Sequence, residues 1–175
     1  MSEIKLLALD LDGTLFTKDK QVTAENRAAL KAAEAKGVHV VITTGRPLPA
    51  ITHILEDLDL LDDKHYSVTF NGGLVQRNNG DILIKKEMSR EDLKQIYAVF
   101  QPLGLPMDVI SDGIVYGVPS KGNHSLYRQA NPTLTFVDVE SIDDIPENIV
   151  YNKVVTVCEE AFLDAQIQKL PKQLY

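Results

Sequence analysis

Two carboxylates in the string Asp10-Leu11-Asp12-Gly13-Thr14-Leu15 stand directly after a short apolar run, Ile4 to Leu9. The length and composition of that run predict a buried parallel strand, and open parallel sheets gather ligands at the carboxyl ends of their strands. Placed there, Asp10 can act as an oxygen nucleophile toward phosphorus and form an aspartyl phosphate. A carboxylate and a phosphate repel each other, so this chemistry calls for a hard divalent cation. Mg²⁺ fits, with Asp10 and the main-chain carbonyl of Asp12 as oxygen ligands. Asp12 lies two residues on, on the same side of an extended backbone, and is the candidate general acid and base. Gly13 permits a sharp turn, and the amide of Leu11, past the end of the strand ladder, is free to bind a phosphoryl oxygen.

A second reactive group is Thr44-Gly45-Arg46-Pro47. Thr44 ends the run Val38 to Thr43 and offers a hydroxyl, with the Gly45 amide beside it, at a helix start where anions bind. The same threonine also suits a helix cap. Arg46 suits a substrate phosphate or carboxylate, and equally an acidic neighbour. Asn71-Gly72-Gly73 reads either as a turn or as a substrate contact. Glu56, Asp57, Asp59, Asp62 and Asp63 lack ligand spacing and read as a solvated helix end. His39, His53, His65 and His124 are scattered, and Cys158 sits in an apolar stretch, so these are expected to be structural.

The elements that must position these groups follow from hydrophobic periodicity. Ala24 to Lys36, between Thr23 and Gly37, predicts a helix, and Val38 to Thr43 a second strand. Strand, helix and strand in this order make a right-handed βαβ unit with a parallel sheet. A helix is expected after Pro47, with Ile51, Ile54, Leu55 and Leu58 on one face, and a third strand over Ser67 to Phe70. Beyond Asn71 the pattern changes to a hairpin, Leu74 to Arg77 and Ile82 to Lys86 about Asn78-Asn79-Gly80. A helix opened by Ser89 and Asp92 runs to Gly104, and a second hairpin joins Met107–Ser111 to Ile114–Val118 through Asp112-Gly113. Ser120 to Gln129 is expected to be helical, Leu134 to Val139 and Val150 to Val157 to be strands, and Ala161 to Leu170 a helix. The organisation expected is an α/β unit over 1–84 and an α+β unit with antiparallel pairs over 85–175.

Composition narrows the function. The chain has 175 residues, 44% hydrophobic and 25% charged, as in a globular protein with material for one good core. A net charge of -7 without a basic run argues against nucleic acid as a partner. A lone cysteine makes no internal disulfide, no apolar stretch is long enough for a membrane span, and the amino terminus lacks the order of a secretory signal. A cytoplasmic protein is expected.

Preceded by its apolar strand, Asp10-Leu11-Asp12-Gly13-Thr14-Leu15 resembles the first motif of the haloacid-dehalogenase superfamily of phosphohydrolases. With Ile42-Thr43-Thr44-Gly45-Arg46-Pro47 and Phe70-Asn71-Gly72-Gly73, essentially the whole chain resembles, more narrowly, the Cof-type sugar-phosphate phosphatases. The resemblance implies an α/β fold, a partial Rossmann-like parallel core with an inserted α+β cap that is mobile, excludes water and selects the substrate. It implies a small phosphoester substrate and Mg²⁺, with Asp10 as nucleophile and metal ligand, Asp12 as acid and base, Thr44 as the phosphate-binding hydroxyl and Asn71 near the substrate entrance. The family also uses a later lysine and a further acidic cluster, and neither is recognisable here. Lys153, Lys169 and Lys172 fall in the cap-like part, and no Gly-Asp-x-x-Asn-Asp pattern follows residue 150. The expectation is therefore a truncated chain with an incomplete site, closing in the charged, proline-interrupted stretch Lys169 to Tyr175. Its incomplete sheet would expose apolar surface and promote self-association. Two alternatives stay open: a phosphotransferase or phosphomutase that shares Asp10, and a catalytically silent fragment that only folds or binds ligand.

Overall fold

The computed structural model describes residues 4–171. Met1-Ser2-Glu3 and the stretch from Lys172 to Tyr175 lie outside the described residues. The chain divides into two compact units, Met1–Lys86 and Glu87–Tyr175.

The first unit is a five-stranded sheet in the order β1-β2-β3-β4-β5. Strands β1 (Leu6–Asp10), β2 (His39–Thr43) and β3 (Tyr66–Thr69) run parallel, whereas β4 (Leu74–Arg77) and β5 (Ile82–Lys85) are antiparallel additions. Helix α1 (Ala24–Glu34) makes the crossover between β1 and β2. Its alanines favour the helix, and the Thr23 side chain accepts the Asn26 amide at 3.2 Å to cap it. At its far end Gly37 takes φ +82°, and the Val38 amide reaches back to the Ala33 carbonyl at 3.1 Å.

The core of this unit gathers Leu11, Leu15, Leu30, Ile42, Ile51, Leu55 and Leu60. Two of these, Leu11 and Leu15, belong to the acidic loop after β1, so hydrophobic burial anchors the loop itself. The helix expected after Pro47 is split. A 3₁₀ turn, Leu48–Ala50, precedes the short α2 (Thr52–Asp57), because Pro47 and Pro49 bring no amide donors to the first turn.

The prediction of a buried β1 is corrected. Strand β1 pairs with β2 alone among the described residues, and Leu6 is 56% exposed. Leu6, Ala8 and Asp10 share one face and are all exposed, so an apolar run does not reveal whether both faces and both edges of a strand are covered. Asn78 stands in the turn that the sequence predicts, closed by the Gly80 amide on the Arg77 carbonyl at 2.9 Å, and is also 2% exposed. It accepts from the Ser67 hydroxyl and donates to the Leu60 carbonyl, both at 2.7 Å.

The second unit carries a four-stranded sheet in the order β8-β7-β6-β9, built from β6 (Met107–Ser111), β7 (Ile114–Val118), β8 (Thr135–Asp138) and β9 (Lys153–Val155). Helix α3 (Arg90–Leu103) opens with a capping box between Ser89 and Asp92 and closes at Gly104, φ +73°. Its Leu93 packs with Met107, Val109, Tyr116 and Val118. Three expectations need correction. Strand β8 runs parallel to β7, so the pairing is not wholly antiparallel. Within Ser120 to Gln129 only the start of α4 (Tyr127–Ala130) is helical, because Ser120-Lys121-Gly122-Asn123 closes into a turn with Lys121 and Gly122 at positive φ. Strand β9 is three residues long; before it, Tyr151 forms an isolated bridge to Met88, and the Asn152 side chain accepts the Asp112 amide at 2.7 Å. Helix α5 (Glu160–Ile167) follows. No helix among the described residues is long and apolar enough to cross a membrane.

Asn78 yields a stability prediction. Asn78→Ala leaves a buried hydroxyl and a buried carbonyl without their partner, and the first unit should lose roughly 2–3 kcal/mol. Urea unfolding followed by tyrosine fluorescence measures it; a loss below about 0.5 kcal/mol contradicts the bridging role.

Candidate active site

The parallel ladder pairs Asp10 with Thr43, and Thr43 with Val68, so the carboxyl ends of three strands lie at one level. The loop after β1 leaves the sheet there. Asp12 stays extended at φ -77°, ψ 115°, and Gly13 turns at φ +81°, a conformation that glycine enters without steric cost. The Phe16 amide closes the loop on the Leu11 carbonyl at 2.9 Å. Leu11 and Leu15 point into the core, so Asp10 and Asp12 stay exposed. The Thr14 hydroxyl makes only a long contact, 3.4 Å, to Asp10 Oδ2.

Asp10, Thr43, Thr44, Gly45, Val68, Asn71 and Gly72 line one cavity of about 310 Å³. The structure thus brings together four of the residues singled out in the sequence: Asp10, Thr44, Gly45 and Asn71. Thr44 is buried, and its Oγ1 accepts the Arg46 amide at 3.1 Å. That bond is a local turn cap, yet the hydroxyl proton is not used in it and remains able to donate. The Thr44 carbonyl accepts the Asn71 amide at 3.1 Å, tying β2 to the segment after β3. That segment turns through Phe70 (φ 52°), Asn71 (φ 57°) and Gly72 (φ 94°), successive left-handed residues. Gly45 leaves room for Asn71, because a Cβ there would come within 2.9 Å of Asn71 Oδ1 and the amide side chain would have to shift.

Arg46 lies elsewhere in the chemistry. Its Nε donates to Asp12 Oδ2 at 2.9 Å and its Nη2 to Oδ1 at 2.8 Å, a bidentate fork. Of the two roles open to it in the sequence, the structure places it on the acidic neighbour. This fork, helped by the charge of Lys20 and opposed by partial desolvation, holds the Asp12 carboxyl below the usual aspartate range. Lys20 was missed in the sequence reading. It lines, with Asp12, Gly13, Phe16, Thr17 and Lys18, a separate concavity of about 510 Å³. The pair of lysines so soon after Asp12 was the available signal. Leu11 contributes no side chain to either cavity, and its expected role rests on its main chain at the end of the ladder.

Mg²⁺ takes hard oxygen ligands, often one or two carboxylates completed by water and phosphate. The Asp10 carboxylate and the Asp12 carbonyl have the right chemistry for such a loosely held ion. They do not form a protein cage. Both Asp12 carboxylate oxygens are taken by Arg46, and no group of three His, Cys, Asp or Glu that could hold a metal occurs among the described residues.

Comparison with known proteins identifies the family and the fold. A family model described as haloacid dehalogenase-like hydrolase matches residues 7–175. A Streptococcus pyogenes protein, provisionally named a phosphatase, is 33% identical over 98% of this chain and 64% of its own length. The Bacillus subtilis protein named 5-amino-6-(5-phospho-D-ribitylamino)uracil phosphatase YcsE is 35% identical over 54% of this chain and 37% of its own. Among solved structures, a haloacid dehalogenase-like hydrolase from Bacteroides thetaiotaomicron superposes with a TM-score of 0.77 at 20% identity, over 98% of this chain and 65% of that one. A sugar phosphatase of subclass IIB of the same superfamily gives 0.71 at 21%, over 95% and 64%. These likenesses show a mixed α/β fold of the haloacid dehalogenase type. The chain spans about 64% of the length of the Streptococcus relative.

The fork from Arg46 yields a titration prediction. Arg46→Ala should raise the Asp12 carboxyl toward its ordinary range, visible in a ¹³C carboxyl NMR titration. Because the pair depresses the folded-state value, its stabilisation is present above the unfolded aspartate range and is lost as pH falls through the depressed value. Asp12 is half exposed, so the contribution is at most about 1 kcal/mol. An unchanged titration of Asp12 in the variant refutes the assignment.

Proposed function

Since the chain belongs to the haloacid dehalogenase-like hydrolase family, we propose that it carries the nucleophile side of a Mg²⁺-dependent phosphohydrolase site acting on a small organic phosphoester of the sugar-phosphate type. The observation that supports this best is the shared level of Asp10, Thr43 and Val68, which sets the Asp10 carboxylate in one cavity with Thr44, Gly45 and Asn71. In the proposed reaction an Asp10 oxygen bonds to phosphorus as the ester P–O bond breaks and the alcohol departs. The Thr44 hydroxyl and the amides of Gly45 and Leu11 would donate to the phosphoryl oxygens, and Asn71 would meet the rest of the substrate. Asp12, kept ionised by Arg46, is ready to take a proton from the water that hydrolyses the aspartyl phosphate; its service as an acid to the leaving alkoxide requires the fork to loosen first. Mg²⁺, held by Asp10 and the Asp12 carbonyl, would supply charge neutralisation between carboxylate and phosphate.

The names of relatives, a ribitylamino-uracil phosphatase and a sugar phosphatase, support a hydroxylated phosphoester, and Glu87–Tyr175 would be the cap that selects it. The cytoplasm is the compartment proposed. A silent binding module is the competing reading, favoured by the small number of metal donors in the described residues.

Phosphate release from p-nitrophenyl phosphate with Mg²⁺ distinguishes them. Asp10→Asn should abolish release, and Asp12→Asn should lower it by roughly 10²–10⁴-fold. No release by the 175-residue chain, or equal release by Asp10→Asn, sinks the hydrolase reading for this chain.

The edge of β1 that has no partner strand among the described residues, with Leu6 and Ile4 exposed, supports self-association through that sheet. Sedimentation should show concentration-dependent oligomers, reduced by Leu6→Lys. A monodisperse monomer at every concentration contradicts it.

A further inference from the structure

The second unit contains a built cavity of its own, about 280 Å³, whose polar wall the reaction above does not use. Asp108 lies at its base on β6, 2% exposed. A carboxylate is seldom buried this far without a cation or several donors. Here the Ser125 hydroxyl donates to Oδ2, and Oδ1 has no hydrogen-bond donor among the described residues. Burial pushes the Asp108 carboxyl up to about 6, against the lowering pull of Ser125 and the charge of Arg128. The neighbouring strand supplies a second acceptor. Asp138 on β8 has its Oδ1 held by Arg128 Nη2 at 2.7 Å.

Gly117, between them on β7, keeps the space open. Its register partners are Asp108 on one side and Asp138 on the other. A Cβ built there would stand 3.4 Å from Asp138 Oδ1 and 3.5 Å from Asp108 Oδ1, so two carboxylate oxygens converge on the spot that the glycine leaves empty. Those separations are ordinary van der Waals contact, and the backbone of Gly117 is not left-handed, so neither sterics nor conformation requires glycine. His124 and Arg128 complete the wall with donors. Acceptors and donors both line a space of small-molecule size.

We propose that this cavity is a polyol subsite, in which vicinal hydroxyl groups of a neutral sugar or sugar alcohol donate to Asp108 and Asp138 over Gly117 and accept from Arg128 and His124. A hydroxyl both donates and accepts, which matches a mixed wall. An amine would meet Arg128, and a phosphate would meet two carboxylates, so both match it less well. The significance of the cavity as a place for the substrate's hydroxylated part rests on the phosphohydrolase reading; binding of a polyol does not.

The test is ¹H–¹⁵N NMR of the complete 175-residue chain, without metal or phosphate, titrated with ribitol, glucose and myo-inositol, and with putrescine and inorganic phosphate as contrasts. At least one polyol should shift the amides of Gly117, Ser125 and Asp138 with saturation in the millimolar range. Gly117→Ala, which fits the backbone and fills the gap, should weaken this at least about tenfold, whereas Asp10→Asn should leave it unchanged. Absence of any polyol response at these amides overturns the proposal. So does a response confined to putrescine or phosphate, one that persists in Gly117→Ala, or one that disappears in Asp10→Asn. A chain that binds the polyol but releases no phosphate keeps this inference and sinks the hydrolase reading; the converse result does the reverse.

Discussion

The register of three parallel strands is the constraint on which the site depends. Because Asp10 pairs with Thr43 and Thr43 with Val68, the loops after β1, β2 and β3 leave the sheet at the same height. A slip of one residue along β1 would reverse every side chain and turn Asp10 away from its neighbours. The slip is resisted from the far side of the loop. Leu11 and Leu15 are buried on either side of the acidic turn, and lifting either into water forfeits about 1.5–3 kcal/mol of burial. Hydrophobic anchoring and hydrophilic display are thus properties of the same five-residue segment, with Gly13 as the joint that lets one chain do both.

Electrostatics sets a different limit. Asp10 has a light hydrogen-bonding load, one long contact from Thr14, whereas Asp12 is gripped by two short donors of Arg46. The two carboxylates are therefore unequal before any ligand arrives. A lightly bonded, exposed carboxylate at Asp10 suits attack, and a tightly paired one at Asp12 suits orientation and base chemistry. The same fork opposes protonation of Asp12, so whatever loosens Arg46 also changes which proton transfer Asp12 can perform. In this sense Arg46 acts through Asp12, and Thr44 positions it by accepting its amide.

Much of this was legible in the residues. The βαβ order, both hairpins, the Ser89–Asp92 capping box and the Gly104 stop all follow local rules, and local rules are what a sequence states most directly. The grouping of Asp10 with Thr44, Gly45 and Asn71 also followed, since each sits at a strand end. What was not legible depended on partners distant in sequence. The edge position of β1 depends on which strands lie beside it; the burial of Asn78 depends on Leu60 and Ser67; the choice of Arg46 between substrate and Asp12 depends on how the loop after β1 folds. Lys20 belongs to the same class, because its effect on Asp12 requires the loop to return toward its own start.

Two glycines separate what the fold requires from what it merely allows. At Gly45 a Cβ would stand 2.9 Å from Asn71 Oδ1, so the Asn71 side chain would have to give way. The close approach of Asn71 is itself a packing reason for glycine there. At Gly117 a methyl group would stand at ordinary contact distance from two carboxylate oxygens, in a strand interior where glycine is otherwise a weakening choice. Neither a clash nor the backbone conformation calls for glycine at Gly117, and the glycine that stands there leaves open a gap between two carboxylates. A gap beside a buried acid whose second oxygen has no donor among the described residues gives room for a hydroxyl brought from outside.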